Sequence, residues 1–175
     1  MIKHYPNGKA STHIHTLKPG DTLTFLASLP GFPWKPNQFP HVYLLAGGAG
    51  ITPIYQLIRG IFNNPDDKTK VTLVFGVNTE EDLLLRSELE DYARRFPGRF
   101  KYMYAVSRPL REGSEVRKGY VDEEVLGRVM ERETMGRSKV FVCGPPAMEN
   151  ALVGSRGERG ILDRLGWEKG QIHRF

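Results

Sequence analysis

"LLAGGAGITPIYQLI", residues 44–58, runs an apolar strand into a glycine turn and on into a helix. The strand ends at Ala46, and Gly47, Gly48 and Gly50 let the backbone turn sharply with no Cβ in the way. Thr52 suits the N-cap and Pro53 the first helical position, where proline's missing N–H costs nothing. A helix that starts this way aims its positive dipole end and its first N–H groups at the carboxyl edge of the strand. That arrangement binds a diphosphate. The turn reads G-x-G-x-x-P, one residue away from a dinucleotide fingerprint, with Pro53 where a third glycine is usual. Alone it fits equally well a glycine-rich β–α turn that binds nothing.

Working outward, strand-like and helical patterns alternate from His41 onward. "HVYLLA", "VTLVFGV", "FKYMYAVS" and "KVFVCG" are short, rich in β-branched and aromatic residues, and lack strict alternation. They read as strands buried on both faces. Leu85, Leu89, Tyr92, Ala93 and Phe96 keep helical spacing, and "VDEEVLGRVMER" carries acids in its first turn, as the helix dipole favours. The alternation predicts a three-layer α/β domain on a parallel sheet over residues 38–175. The second strand ends in Asn78 rather than in an acid that would hold a ribose, which disfavours an ordinary Rossmann dehydrogenase.

Residues 1–37 have a different texture. "YPNG", "KPGDT" and "LPGFPWKPN" punctuate two expected strands, near Met1–Tyr5 and Asp21–Leu29, with a short helix in "STHIHTL" between them. Residues 30–36 read as a linker or crossing segment. A length of 175 residues suits one domain, or one domain with a fragment of another, and no apolar run nears the roughly 20 residues of a membrane span. No signal or transit segment opens the chain, and the natural start is expected to lie upstream of Met1.

The single cysteine, Cys143, excludes internal disulfides and a cysteine-built metal site. The formal charge of +5 is spread among acids, so no nucleic-acid partner is expected; a weakly basic face for an acidic protein fits better. His13 and His15 lack a third ligand nearby, so no metal is expected. Asp66-Asp67 and Glu80–Asp82 read as solvated turns and a helix-start acid cluster rather than a catalytic pair. Trp34 and Trp167 are read as packing residues, and "SRGERG" (155–160) as a surface loop. Taken alone, Cys143 reads as a core thiol.

Four motifs in order change that balance: "AGGAGITP" (46–53), "FGVNTEEDLLLRSELE" (75–90), "GYVDEE" (119–124) and "VFVCGPPAM" (140–148). Together they resemble the pyridine-nucleotide domain of the ferredoxin reductase-like flavoproteins. With "YPNGKAST", "IFNNPDDKTKVTLVFG" and a terminal aromatic after "LGW", the chain is similar to the NADH–cytochrome b5 reductase family, its fungal mitochondrial form above all. The resemblance implies an oxidoreductase that passes electrons from NADH or NADPH through FAD to a haem protein such as cytochrome b5. It implies a mitochondrial location, with the endoplasmic reticulum membrane or the cytoplasm as alternatives.

Residue by residue, the resemblance implies that Gly48, Gly50, Ile51, Thr52 and Pro53 cradle the nucleotide diphosphate, with Thr52 also close to the flavin. Cys143, Gly144, Pro145, Pro146 and Met148 would form the loop by the nicotinamide. Phe175 would lie by the flavin. Lys9, Ala10, Ser11 and Thr12 would meet the flavin diphosphate, and Lys9 would assist the nicotinamide nucleotide. Cys143 and Thr52 are the residues implied at the reacting centre. The family's flavin domain is a whole antiparallel barrel whose R-x-Y-[ST] signature precedes "NGK", and that signature is absent here. Residues 1–37 are therefore expected to be a β-rich remnant of that barrel, with weak flavin retention. The alternative is a non-catalytic NAD(P)-binding or interaction module.

One departure bears on the nucleotide. NADH-using relatives usually carry an acid after the third strand; here Ser107 and Arg108 follow it, with Lys118 and Tyr120 in "RKGYV". These resemble the 2′-phosphate site of NADPH-using members of the superfamily: a hydroxyl, two cations and an aromatic face suit a dianion and adenine. NADPH is expected to be accepted at least as well as in the usual NADH-specific relative. The alternative is that Arg108 and Lys118 are solvated loop residues.

Overall fold

The computed structural model describes residues 2–27, 31–108 and 116–175. The chain divides into two compact units, Met1–Trp34 and Lys35–Phe175. The division falls before Lys35 rather than after Asn37, because Asn37 is tied into the second unit. Its N–H donates to Asp67 Oδ1 at 3.3 Å, its side-chain amide donates to the Asp66 carbonyl at 2.8 Å, and its Oδ1 accepts from the Lys68 N–H at 2.7 Å.

Among its described residues the first unit holds one helix, α1 (Lys9–Thr16), and no strand. The expected strands near residues 1–5 and 21–29 are therefore corrected: residues 2–5 and 21–25 have no ladder partner, and residues 1 and 28–30 lie outside the described residues. Two short strands without a third neighbour cannot bury a face, so this segment does not hold as a β-rich piece by itself. The helix starts earlier than "STHIHTL", at Lys9, because Ser11 ties the preceding turn. Its Oγ accepts from the Tyr5 N–H at 3.2 Å and donates to the Gly8 carbonyl at 3.1 Å.

The second unit follows the alternation. Its elements are β1 (His41–Gly47), α2 (Ile51–Asn63), β2 (Lys70–Val77), α3 (Arg86–Arg95), β3 (Phe100–Val106), β4 (Arg117–Lys118), α4 (Glu123–Val129), β5 (Lys139–Cys143) and α5 (Pro146–Val153). A hairpin, β6 (Gly154–Ser155) and β7 (Glu158–Arg159), then α6 (Ile161–Arg164) and β8 (Ile172–Arg174) complete it. One sheet runs β4-β3-β2-β1-β5-β8. Each neighbouring pair in it is parallel. The chain builds outward from β1 through β4, then crosses to the other side of β1 for β5 and β8. That reversal opens a crevice at the carboxyl ends of β1 and β5, where open α/β sheets bind ligands.

Every residue of β1 is buried, as its continuous apolar run predicts for the middle of a parallel sheet. Helix α2 turns Ile51, Ile54, Ile58 and Ile61 inward on a helical period. The expectation of strands buried on both faces fails at the start of β3, where Lys101 and Tyr102 are exposed. Strand β4 pairs only with Ala105 and Val106, so the first half of β3 is a sheet edge. Asp67 is also corrected: it is fully buried, not solvated. Its Oδ1 accepts from the Thr69 N–H at 3.0 Å and hydroxyl at 2.6 Å, so the carboxylate organises the turn into β2.

The amino end of β1 carries a buried polar group with a pH signature. His41 stacks on Tyr43 with ring centroids 4.3 Å apart, and its Nε2 lies 2.9 Å from the Thr72 hydroxyl. Burial holds His41 below its ordinary value of 6.5; Lys70 and Lys101 push the same way, and Glu131 opposes them. The unfolded chain therefore takes up a proton below about pH 6.5 that the folded chain resists. Folding stability should fall as pH drops from 6.5 toward 5, by at most about 1.4 kcal/mol per pH unit for this group. Urea titrations of His41→Phe should show a flatter dependence over that window, with the remainder due to His173, which burial also lowers.

Candidate functional site

The two glycine turns meet at the carboxyl edge of the sheet. Strands β1 and β5 run in register from Val42↔Lys139 to Ala46↔Cys143, so the turns after them start side by side. Gly48–Gly50 form one tight 3-10 turn, and α2 starts at Ile51 with Gly50 as its N-cap. Thr52 and Pro53 thus occupy the second and third helical positions rather than the cap and the first. The tight turn shifts the start, because the Ile51 N–H already turns back to the Gly48 and Ala49 carbonyls. The Thr52 hydroxyl donates to the Ala49 carbonyl at 3.0 Å instead of capping. Pro53 remains within the first turn, where no intrahelical acceptor is lost.

Gly48 and Gly50 are glycines for different reasons. Gly48 has φ +49°, the left-handed region, and a Cβ there would meet nothing within 4 Å. A side chain at 48 would meet open space. A Cβ at Gly50 would lie 2.1 Å from the Cys143 carbonyl oxygen and 2.9 Å from the Gly144 nitrogen. Gly50 is therefore required by the neighbouring backbone, whatever the crevice holds. The same tightness recurs at Gly47, where a Cβ would be 2.4 Å from Met148 Sδ and 2.8 Å from Pro145 Cδ.

The second turn carries Cys143, Gly144 and Pro145 into α5, with Pro146 at its first position. Cys143 is half-buried, and burial pushes its thiol above the ordinary 9.0, with the Glu149 carboxylate adding to the effect. It is a neutral thiol at physiological pH, not an activated nucleophile. Phe175 ends the chain on the same edge. Its N–H donates to the Val142 carbonyl at 3.2 Å, and its ring stacks on Phe141 at 6.0 Å between centroids. The ring is 44% exposed.

The structure thus gathers the residues from Gly48 to Pro53, those from Cys143 to Met148, and Phe175 around one crevice. Ser107, Arg108, Lys118 and Tyr120 lie at the same edge, farther along the sheet. Val106 pairs with Lys118, and the Gly119 N–H donates to the Val106 carbonyl at 2.8 Å. Ser107 Oγ donates to Asn78 Oδ1 at 3.3 Å, and the Tyr120 ring is 74% exposed. The loop between them, residues 109–115, lies outside the described residues. Lys9, Ala10, Ser11 and Thr12 fall together in the first turn of α1, in the first unit.

Two residues that sequence reasoning missed, Glu149 and Arg174, complete the site. Glu149 is 9% exposed; its Oε1 accepts from the Gly144 N–H at 3.1 Å, and its Oε2 from Arg174 Nε at 3.1 Å and Nη2 at 2.7 Å. An acid in a short helix reads as a solvent-facing residue. The only hint was its place on the otherwise weakly polar stretch "PAMENALV".

The sequence model of the oxidoreductase NAD-binding domain family matches residues 44–153. The chain is 46% identical over its whole length to the NADH-cytochrome b5 reductase 2 of Aspergillus oryzae, and covers 56% of that protein. It is 47% identical to that of Botryotinia fuckeliana, covering 52% of it. The chain thus spans little more than half the length of these relatives. Among solved structures, the cytochrome b5 reductase domain of Ulva prolifera nitrate reductase superposes with a TM-score of 0.82 at 31% identity, over 96% of this chain and 66% of that one. The CS-b5R domains of human Ncb5or, in an NAD+ form, superpose with a TM-score of 0.76 at 25% identity, over 99% of this chain and 47% of that one.

The contrast between the two glycines is measurable. Gly50→Ala should lower folding stability by about 1–3 kcal/mol by forcing the Cys143 carbonyl aside, and should weaken nucleotide binding in step. Gly48→Ala should cost only about 1–2 kcal/mol, from the left-handed backbone alone. Urea midpoints and NADH titrations of both variants check this; a Gly50→Ala chain as stable as the parent would refute the close contact.

Proposed function

Because the chain belongs to the oxidoreductase NAD-binding domain family, we propose that it is the nucleotide-handling part of a flavoprotein of the cytochrome b5 reductase type. Such a protein passes electrons from NADH through FAD to a haem protein such as cytochrome b5. The observation that carries this reading is the crevice between β1 and β5, where Gly48 leaves open space beside the amino end of α2. The names of the relatives support the acceptor, although they belong to longer proteins. Among the described residues no helix is long and apolar enough to cross a membrane. The resemblance to the fungal mitochondrial form supports a mitochondrial location, which fractionation of the native cell would check.

The roles follow from the chemistry of these groups. The Gly48–Gly50 turn and the dipole of α2 suit a diphosphate. A neutral, half-buried Cys143 thiol offers a small polarisable wall beside a nicotinamide, and it neither donates a proton nor attacks. No side chain accepts hydride; FAD, when bound, supplies that chemistry and releases the electrons singly to a haem. The chain's part is alignment and exclusion of water. On this reading Thr52 and Phe175 face the flavin, and Lys9, Ala10, Ser11 and Thr12 at the start of α1 meet its diphosphate.

The 175-residue chain should bind NADH and purify with far less than one FAD, because its assigned flavin contacts come from one helix turn, Thr52 and the terminal aromatic. Stoichiometric flavin with NADH-dependent ferricyanide reduction would refute the second half of that statement. Failure to bind either nucleotide would favour a non-catalytic interaction module instead.

Ser107, Arg108, Lys118 and Tyr120 support a finer reading, in which NADPH is accepted alongside NADH. The pairing of β3 with β4 brings the two short segments to one edge. A charge-assisted bond to a 2′-phosphate is worth about 1.5–3 kcal/mol. Arg108→Ala should therefore weaken NADPH binding roughly tenfold to a hundredfold and spare NADH. Calorimetric titration of both nucleotides into both chains decides it; equal losses would count against the phosphate site.

A further inference from the structure

The buried carboxylate of Glu149 is spent on two partners that belong to different parts of the crevice. One oxygen accepts the Gly144 N–H, the peptide that leaves Cys143; the other accepts two guanidinium nitrogens of Arg174, one residue before the terminal Phe175. Arg174 sits on β8 opposite Val142, whose carbonyl accepts the Phe175 N–H. Gly144 is in turn pressed against Gly47, with a Cβ at 144 only 3.3 Å from the Gly47 backbone. The chain thus runs Gly47, Gly144, Glu149, Arg174, Phe175 in continuous contact from one wall of the crevice to the other.

We propose that Glu149 is a positioning residue for the nicotinamide slot, a clamp that holds the Cys143–Gly144 turn and the Phe175 tail in one fixed arrangement. The slot rests on the functional reading above; the clamp itself does not. The physical case is one of burial and valence. A carboxylate taken out of water needs donors, and an arginine fork gives it two from one rigid plane. Removing Arg174 leaves the Glu149 carboxylate buried and short of its charged donor, whereas Arg174, 44% exposed, can turn to water when Glu149 is lost; the buried end of the pair is the one that must stay matched. With one oxygen on the turn and the other on the residue that precedes the tail, the carboxylate is a mechanical link between them.

The test uses the 175-residue chain with amide hydrogen exchange and NADH titration. Arg174→Met should speed exchange at the Gly144 N–H roughly tenfold or more, although Arg174 makes no bond to that amide. Glu149→Gln, which keeps an acceptor for Gly144 but loses the charge, should speed exchange at the Phe175 N–H. The double variant should exceed neither single by much, since both break one unit. Arg174→Lys should recover part of the protection. NADH affinity should fall roughly tenfold in both single variants.

Amides of Leu44 and Leu45 at the sheet centre report whether a variant is folded. An unmoved Gly144 amide in folded Arg174→Met overturns the clamp. Loosened amides with unchanged NADH affinity overturn its positioning role. A parent chain that binds no NADH overturns the functional reading and the slot with it, while the exchange data still decide whether the clamp exists.

Discussion

There is no room for a methyl group between the start of α2 and the end of β5. A Cβ on Gly50 would stand 2.1 Å from the Cys143 carbonyl oxygen, and the rest of the crevice depends on that intimacy. It is possible only because β1 and β5 are adjacent and parallel, so both strands deliver their turns to the same edge at the same height. The crossing of the chain over β1 makes them adjacent. Met148 then fills the space over Gly47 and Gly144, which fixes the entry of α5. Sequence, topology and site are linked here through one backbone contact.

The two ends of the sheet divide the labour. Aromatic packing concentrates at the amino end of β1. There the Tyr43 hydroxyl accepts the Glu131 N–H at 2.9 Å, the ring meets Trp167 edge-on at 5.5 Å, and His41 stacks behind it. Asp67 organises the neighbouring turn. The carboxyl end carries glycines, prolines, a half-buried thiol and an exposed aromatic instead. Substitutions at the first end are expected to act on folding, and at the second on binding, with Gly50 acting on both.

Much of this was legible in the residues. The short apolar runs gave β1, β2, β3 and β5 to within a residue or two; β1, β2 and β5 have the composition that burial on both faces requires, and β3 has it only in its second half. The glycine turn pointed to the carboxyl edge of β1, because its spacing follows from backbone geometry. What stayed hidden depended on partners distant in the chain. Strand β8 is three residues, Ile172–Arg174, two of them polar, and only pairing with β5 makes them a strand. Asp67 looks like any turn acid until the Asn37 segment folds over it. The first unit was misjudged because turn signals mark where strands could end, and say nothing about whether neighbours exist to pair with them.

Glu149 also lies in the first turn of α5, the second helix that opens toward the crevice. Its carboxylate reaches back over that end and takes up the Gly144 N–H. The Gly144 donor at the entrance to α5 is therefore taken up within the chain, by a carboxylate whose charge Arg174 already meets. The amino end of α2 has no such acid in its first turn. An anionic group at this edge finds the Gly144 N–H already engaged and is left to the glycine turn ahead of α2.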